Sequence, residues 1–473
     1  MKLYEKYIFI FLVLISSESF SQEKIELKNA DELSGKTIDG QSVREASGNV
    51  EFVQGNVKVY CSSATQFLNA NRVELRGNVK IIQDTISLFT SRATYFGDDK
   101  KAFCEGGVTL KDPNAALRAD DGFYYFNDAK AVFRGEVIIV NSQYKIVSDE
   151  LTYMRNTEDS FAKGKVTVTT DSAVIKAENI DFYKREGRTF AHGNVNIESD
   201  STIITSDTAS NYSGERKSVA SGNVKIVSLN KNTVITGRTL ENYGLKNYTL
   251  VKDSAKLVQT ENGKDSVFIS CDLMEAFRNK PEKYIARGNV IFIRDDFYSK
   301  CGTGVYFKDN ETLSISDKPV IWQGNMQMTG DSIYAELPDN ELQTVYVRKI
   351  DGLTVSDISF VISGNNNLTF SDRYDQISGE DITLKFKNNK ISEIQVNRNS
   401  RSIYFLYEEG KANGINNIEG DDLYIYFDEE EKVSKIKVDK NPKGQYVPET
   451  LIGTTELTLP GFNLRTDKPG KNQ

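Results

Sequence analysis

Gly77-Asn78-Val79-Lys80-Ile81 returns as Gly106-Gly107-Val108-Thr109-Leu110, and then at Gly135, Gly164, Gly193 and Gly222, each 29 residues after the last. A fixed period of this length marks a repeat architecture, so every other feature is placed in its register. Counting each glycine as position zero, apolar residues stand at +2 and +4: Val79/Ile81, Val108/Leu110, Val137/Ile139, Val166/Val168, Val195/Ile197 and Val224/Ile226. Alternation of β-branched residues reads as a strand with one buried face. A second apolar set stands three before the glycine: Phe103, Val132, Phe161, Phe190 and Val219, with Glu74 as the departure in the first unit. Odd and even positions cannot share one side of a straight strand. The sequence therefore predicts a bend or bulge at the glycine, with both sets on one inner face. One unit cannot bury that face alone, so neighbouring units must stack.

Two more ladders keep the register. Acids stand at +14 (Asp120, Asp149, Glu178, Asp207) and aromatics at +18 (Tyr95, Tyr124, Tyr153, Phe182). Stacked carboxylates could hold calcium. Each acid follows a small residue and lies between strands, so a turn-forming or outward-facing acid explains the ladder better, and directly opposed like charges repel. The aromatics read as core or rim packing more readily than as sugar platforms.

Working outward, the chain has 473 residues, with 38% hydrophobic residues, 23 Tyr and 25 Phe, which suits thin extended β-structure. Its 59 basic and 67 acidic residues are interspersed for a net charge of −8, with no basic stripe, so nucleic acid is not an expected partner. Lys2 and Lys6 precede an apolar run from Tyr7 to Ile15 and a small, polar segment, which reads as a signal peptide over 1–21 cut near Ser21. A membrane anchor is the alternative, but the run is short for one. Export permits disulfides among Cys61, Cys104, Cys271 and Cys301. Cys271 and Cys301 could lie on adjacent rungs, or both could be small apolar fillers.

Early copies of the signature, Gly48-Asn49-Val50 and Gly55-Asn56-Val57, precede the regular array, and Gly288-Asn289-Val290 restores it later. A different pattern follows. Ile377-Ser378-Gly379 matches Ile418-Glu419-Gly420, 41 residues on, and Gly330-Asp331-Ser332 is a weaker copy. The expected organisation is a β-jellyroll or solenoid-like array over 22–329, a looser β-repeat region over 330–447, and an extended or disordered tail over 448–473. The whole is all-β.

Catalytic chemistry is not legible. His192 is the one histidine, at a position where other units carry Arg76, Arg134 or Lys163. There is no phosphate loop, dinucleotide fingerprint or zinc spacing, and neither a metal nor a cofactor is expected.

The recurring Gly-Asn-Val, the alternation after it, the Ser-Asp or Ala-Asp pair and the following Tyr resemble the OstA-like family. That family comprises the periplasmic lipopolysaccharide-transport protein LptA and the N-terminal domain of the outer-membrane protein LptD. The resemblance covers residues 48 to about 295 well. It implies a twisted β-jellyroll of antiparallel strands with an apolar groove for the acyl chains of lipopolysaccharide. It also implies periplasmic location, other jellyroll components of the transport machinery as partners, and head-to-tail stacking into a bridge between membranes. On this reading the lipid-binding inner face is Val79, Ile81, Phe103, Val108, Leu110, Val132, Val137, Ile139, Phe161, Val166, Val168, Phe190, Val195, Ile197, Val219, Val224 and Ile226. The protein would shield lipid and catalyse nothing. The alternatives are a sealed structural or glycan-binding solenoid and a β-helix polysaccharide lyase. The second lacks a clustered Lys/Arg/His site. Unpaired edge strands invite strand addition, and the crowded copies at 48–60 mark the expected N-terminal docking edge.

Overall fold

The structure, a computed structural model, describes residues 24–470 except 39, 114, 141–143, 231, 262–263, 295, 339–340, 350–357, 365–369 and 389. The signal-peptide expectation over 1–21 lies outside the described residues. Among these there is no α-helix; the regular elements are antiparallel strands and short 3-10 turns such as Gly244–Lys246. The all-β expectation holds.

Each 29-residue unit is two strands. Arg72–Gln83 carries Gly77 at its centre and pairs with Ile86–Phe96, which pairs with Lys101–Asp112. The glycine is a bulge. Arg76 faces Arg92 and Val79 faces Thr90, so the glycine strand holds one residue more than its partner. Gly77 and Asn78 both take left-handed backbone, φ 74° and 49°, and so do the glycine and its successor at 48, 135, 164, 193, 222 and 288. Asparagine recurs in the second place because it tolerates this conformation.

The acid ladder belongs to this bulge. A Cβ on Gly135 would lie 2.3 Å from Asp120 Oδ2, and one on Gly222 would lie 2.1 Å from Asp207 Oδ2. The acid of one strand thus occupies the place of the missing side chain in the next. The asparagine donates to it: Asn194 Nδ2 to Glu178 Oε1 at 2.7 Å, Asn223 Nδ2 to Asp207 at 3.1 Å, Asn289 Nδ2 to Asp272 at 3.0 Å.

One expectation is corrected here. The residues at −3 are not on the inner face. Ala102 and Cys104 are buried while Phe103 between them is not, and Ala131 and Phe133 flank Val132 in the same way. Phe161, Phe190 and Val219 likewise alternate with buried Ala162, Ala191 and Ala220. The extra residue leaves the glycine strand's parity intact, with −2, +2 and +4 all inward. The break in parity falls on the partner strand, where Ser91 and Arg92 separate buried Thr90 from buried Ala93.

Contacts divide the chain into two compact units, Met1–Gly164 and Lys165–Gln473. In the second unit the bulge becomes a complete division. Phe297–Phe307 pairs through one arm with Thr312–Ser316 and through the other with Val320–Gln323. The long strands Lys390–Glu408 and Lys411–Phe427 span both arms again. The later glycine pattern marks the crossings between arms. A Cβ on Gly330, Gly379 or Gly420 would meet Val347, Val396 or Val438 at 2.8, 2.3 and 2.3 Å.

The ends differ from expectation. Glu26–Asn29 and Glu32–Ile38 both pair with Gln41–Gln54, which covers the strands at 48–60. Val57 and Val59 are buried, and the free edge is 26–38. At the far end Val433–Asp439 and Lys443–Pro448 cap the two arms of Lys411–Phe427. The chain beyond, as far as residue 470, runs as a strap. Gln376 exchanges hydrogen bonds with Leu457 O and Leu459 N, and Gln327 with Asn463 O and Arg465 N, all at 2.8 Å.

Candidate functional site: the inner face and where it opens

The inner face is a ladder of one apolar residue per strand, each directly opposite the next. In the first unit it runs Phe52, Val59, Ile81, Leu88, Leu110, Leu117, Ile139, Ile146. Every member is at most 9% exposed. In the second it runs Ile175, Ile197, Ile204, Ile226, Ile235, Leu257, Ile269, Phe292. Every one of these is only part-buried. Same position, same residue class, different exposure: one ladder is core and the other is a wall reached by solvent.

The opposing arm explains the difference. In the first unit its rung near the strand ends reads Val73, Tyr95, Ala102, Tyr124, Ala131, with large rings alternating with small residues. Tyr95 and Tyr124 are among the largest fully buried side chains. They reach the other arm: Tyr95 Oη donates to Gln54 Oε1 at 2.6 Å, and Tyr124 Oη to Gln83 Oε1 at 3.5 Å. Gln54 Nε2 donates to Gly97 O at 3.0 Å, and Arg155 Nη1 to Asp84 Oδ2 at 3.1 Å. These bonds clasp one set of strand ends to the other. Burial raises the Tyr124 phenol, and with Asp112 nearby pushes Tyr153 to about 12, so these hydroxyls stay protonated.

In the second unit the corresponding rung reads Phe182, Thr189, Asn211, Ser218, Asn242, Thr249. After Phe182, short polar residues stand in place of the tyrosines. Ser199 and Ser228 stand at +6, where Gln54 and Gln83 stand in the first unit. The polar rung is hydrogen-bonded within itself and to the turn beyond: Ser218 Oγ to Asn211 Oδ1, Thr249 Oγ1 to Asn242 Oδ1 and Arg278 Nη2 to Asn242 Oδ1, each at 2.9 Å. The result is a trough with an isoleucine wall facing a polar lip.

The proposed lipid-contact residues divide accordingly. Val79, Ile81, Val108, Leu110, Val137 and Ile139 lie inward and sealed; Val166, Val168, Val195 and Val224 lie inward and buried; Ile197 and Ile226 lie inward and part-exposed. The clasp glutamines and the polar rung were missed, although each sits at a fixed place in the register. So was a basic residue five before the glycine: Arg72, Lys101, Lys130, Arg188, Lys217 and Lys283.

His192 stacks on Phe190 with ring centroids 5.3 Å apart. All four cysteines are free and buried; desolvation pushes Cys61 and Cys271 to about 11 and Cys104 and Cys301 to about 12, which keeps them as neutral apolar fillers.

The model of the OstA-like protein family matches residues 22–121. The model described as LptA/(LptD N-terminal domain) LPS transport protein matches residues 145–341. No curated protein matches the chain. Among solved structures, one similar chain is LptH, the LptA homologous periplasmic component of the conserved lipopolysaccharide transport device from Pseudomonas aeruginosa. It is 18% identical over 22% of this chain and 73% of that chain, with a TM-score of 0.19.

Proposed function

The chain belongs to the OstA-like family of lipopolysaccharide-transport proteins, and on that premise we propose that it carries lipopolysaccharide through the periplasm, holding the acyl chains against the isoleucine wall of its second unit. The observation that supports this reading is the part-exposed ladder from Ile175 to Phe292, set against the sealed ladder of the first unit. A protein that needs only a core has no reason to leave eight aligned apolar side chains in reach of water. The physical demand is large. Each methylene kept from water is worth about 0.8 kcal/mol, so several acyl chains crossing an aqueous space unshielded would cost tens of kcal/mol.

The protein acts as a shield and a track, with no chemical step. The first unit is clasped shut. Its free edge at 26–38 is the place for strand addition to another jellyroll component or a second copy. The test is mass spectrometry of lipid that co-purifies from the periplasm. Lipopolysaccharide at near-stoichiometric amounts supports the reading. Protein free of lipid that also fails to take up added lipopolysaccharide contradicts it and favours a sealed structural solenoid.

A further inference from the structure

Along one set of strand ends the outer face carries a second ladder, built of rings and cations. In the second unit its successive members are Tyr183, Arg188, Tyr212, Lys217, Tyr243, Tyr248, Phe277, Lys283 and Phe307, each opposite the next. The Arg188 guanidinium lies 4.2 Å from the Tyr183 ring centre, Lys217 Nζ 5.2 Å from Tyr243, and Lys283 Nζ 5.1 Å from Phe277. The first unit has the same device, with Arg72 over Phe67 at 4.1 Å and Lys101 over Phe96 at 5.1 Å. Cross-strand cation–π pairs of this kind stabilise a rim wherever they occur, so the ladder alone implies no ligand.

The turns beyond it differ between units. In the first they carry Asp98, Asp99, Asp128 and Glu158 against Lys100 and Arg155. In the second, up to Glu282, they carry Lys184, Arg185, Arg216, Lys246, Arg278 and Lys280 against Glu186, Glu215 and Glu282. The opposite strand ends of the second unit carry Glu198, Asp200 and Asp296. The inner polar rung lies on the basic side, and Arg278 is bonded into it through Asn242 and through Thr249 Oγ1, both at 2.9 Å. Basic turns, cation–aromatic ladder and polar lip therefore coincide on one side of the open trough, while the isoleucine wall lies on the other, where Glu198, Asp200 and Asp296 stand with Lys264 and Arg294.

We propose that this lip is a headgroup site, which holds the phosphorylated saccharide of the same amphiphile whose chains lie in the trough. Rings give sugar faces a flat apolar contact, cations pair with phosphate, and the Asn/Ser/Thr rung offers donors and acceptors to hydroxyls. This inference rests on the proposed transport function and adds an orientation to it: the headgroup faces the side of Lys217, Arg278 and Lys283.

The test is binding of purified full-length protein to two lipids that differ only in phosphate, a bisphosphorylated lipid A and its dephosphorylated form. In Lys217→Gln/Arg278→Gln/Lys283→Gln, affinity for the bisphosphorylated lipid should fall about 10- to 100-fold. Affinity for the dephosphorylated lipid should stay within about twofold, and the preference for phosphate should shrink as salt rises. The charge-keeping Lys217→Arg/Arg278→Lys/Lys283→Arg should retain binding, which separates charge loss from a folding defect. Arg72→Gln/Lys101→Gln/Lys130→Gln in the first unit should bind both lipids as the parent does. Equal loss on both lipids, no loss on either, or equal loss in the first-unit variant would overturn the headgroup site. If the parent protein binds neither lipid, the transport reading itself fails; if it binds both equally well, that reading stands and only the headgroup site falls.

Discussion

Ile81→Ala and Ile226→Ala remove the same side chain from the same position, four residues after the glycine, in the two units. Ile81 is 1% exposed and packed between Val59 and Leu88, so its truncation leaves a closed cavity. Such changes cost about 2–5 kcal/mol. Ile226 stands between Ile204 and Ile235 with part of its surface in water, and solvent can fill the space it leaves. Losing part of one side chain's transfer energy without a cavity comes to roughly 1 kcal/mol. Urea titration of lipid-free protein, followed by far-UV circular dichroism, reads both values. In lipopolysaccharide binding the order should reverse: Ile226→Ala should weaken affinity by roughly fivefold, the equivalent of about 1 kcal/mol, and Ile81→Ala should leave it unchanged. Equal destabilisation by both variants, each above about 3 kcal/mol, would refute the distinction between sealed core and open wall.

Three further outcomes follow from named contacts. Tyr95→Phe should cost about 1–3 kcal/mol in urea melts, because it strips a buried partner from Gln54 Oε1. Gly222→Ala should cost about 1–3 kcal/mol through its left-handed φ of 76° and the 2.1 Å approach to Asp207 Oδ2; adding Asp207→Ala should relieve only part of this, since the Asp207 Cβ itself stands 2.8 Å away and the backbone strain stays. Burial pushes the Asp375 carboxyl up to about 7, against the opposing pull of the Phe405 N–H. A folded-state value above the unfolded one means that stability falls as pH rises from about 4 to 7. Asp375→Asn should thus melt higher than the parent at pH 8, by the equivalent of about 2–4 kcal/mol, and level with it near pH 4.

The fold was legible because the repeat writes it six times. Gly at fixed spacing predicted the bulge, and the bulge is there. The −3 residues misled because apolar side chains on an outer sheet face look, in sequence, like core: Phe103 stacks on Phe123 at 4.5 Å outside the inner ladder. The acids read in sequence as turn-forming or outward-facing residues between strands, but Asp149, Glu178 and Asp207 lie within strands, opposite the bulge, as the partners that make glycine obligatory in the neighbouring strand. The opening of the trough could not be read from the +2 and +4 positions, since Ile81 and Ile226 are identical there. It depends on what faces them across the trough, tyrosine at 95 and 124 and asparagine at 211 and 242. That difference is visible in the sequence only once the pairing register is known. The N-terminal edge was misplaced because Glu26–Asn29 and Glu32–Ile38 are polar strands without the repeat's signature.

A photo-crosslinking residue placed one position at a time along the ladder tests the central claim most directly. Lipopolysaccharide should be captured in cells from Ile204, Ile226, Ile235 and Leu257, and not from Ile81, Leu88 or Leu110. Capture from the first unit alone, or equal capture along both ladders, would contradict it.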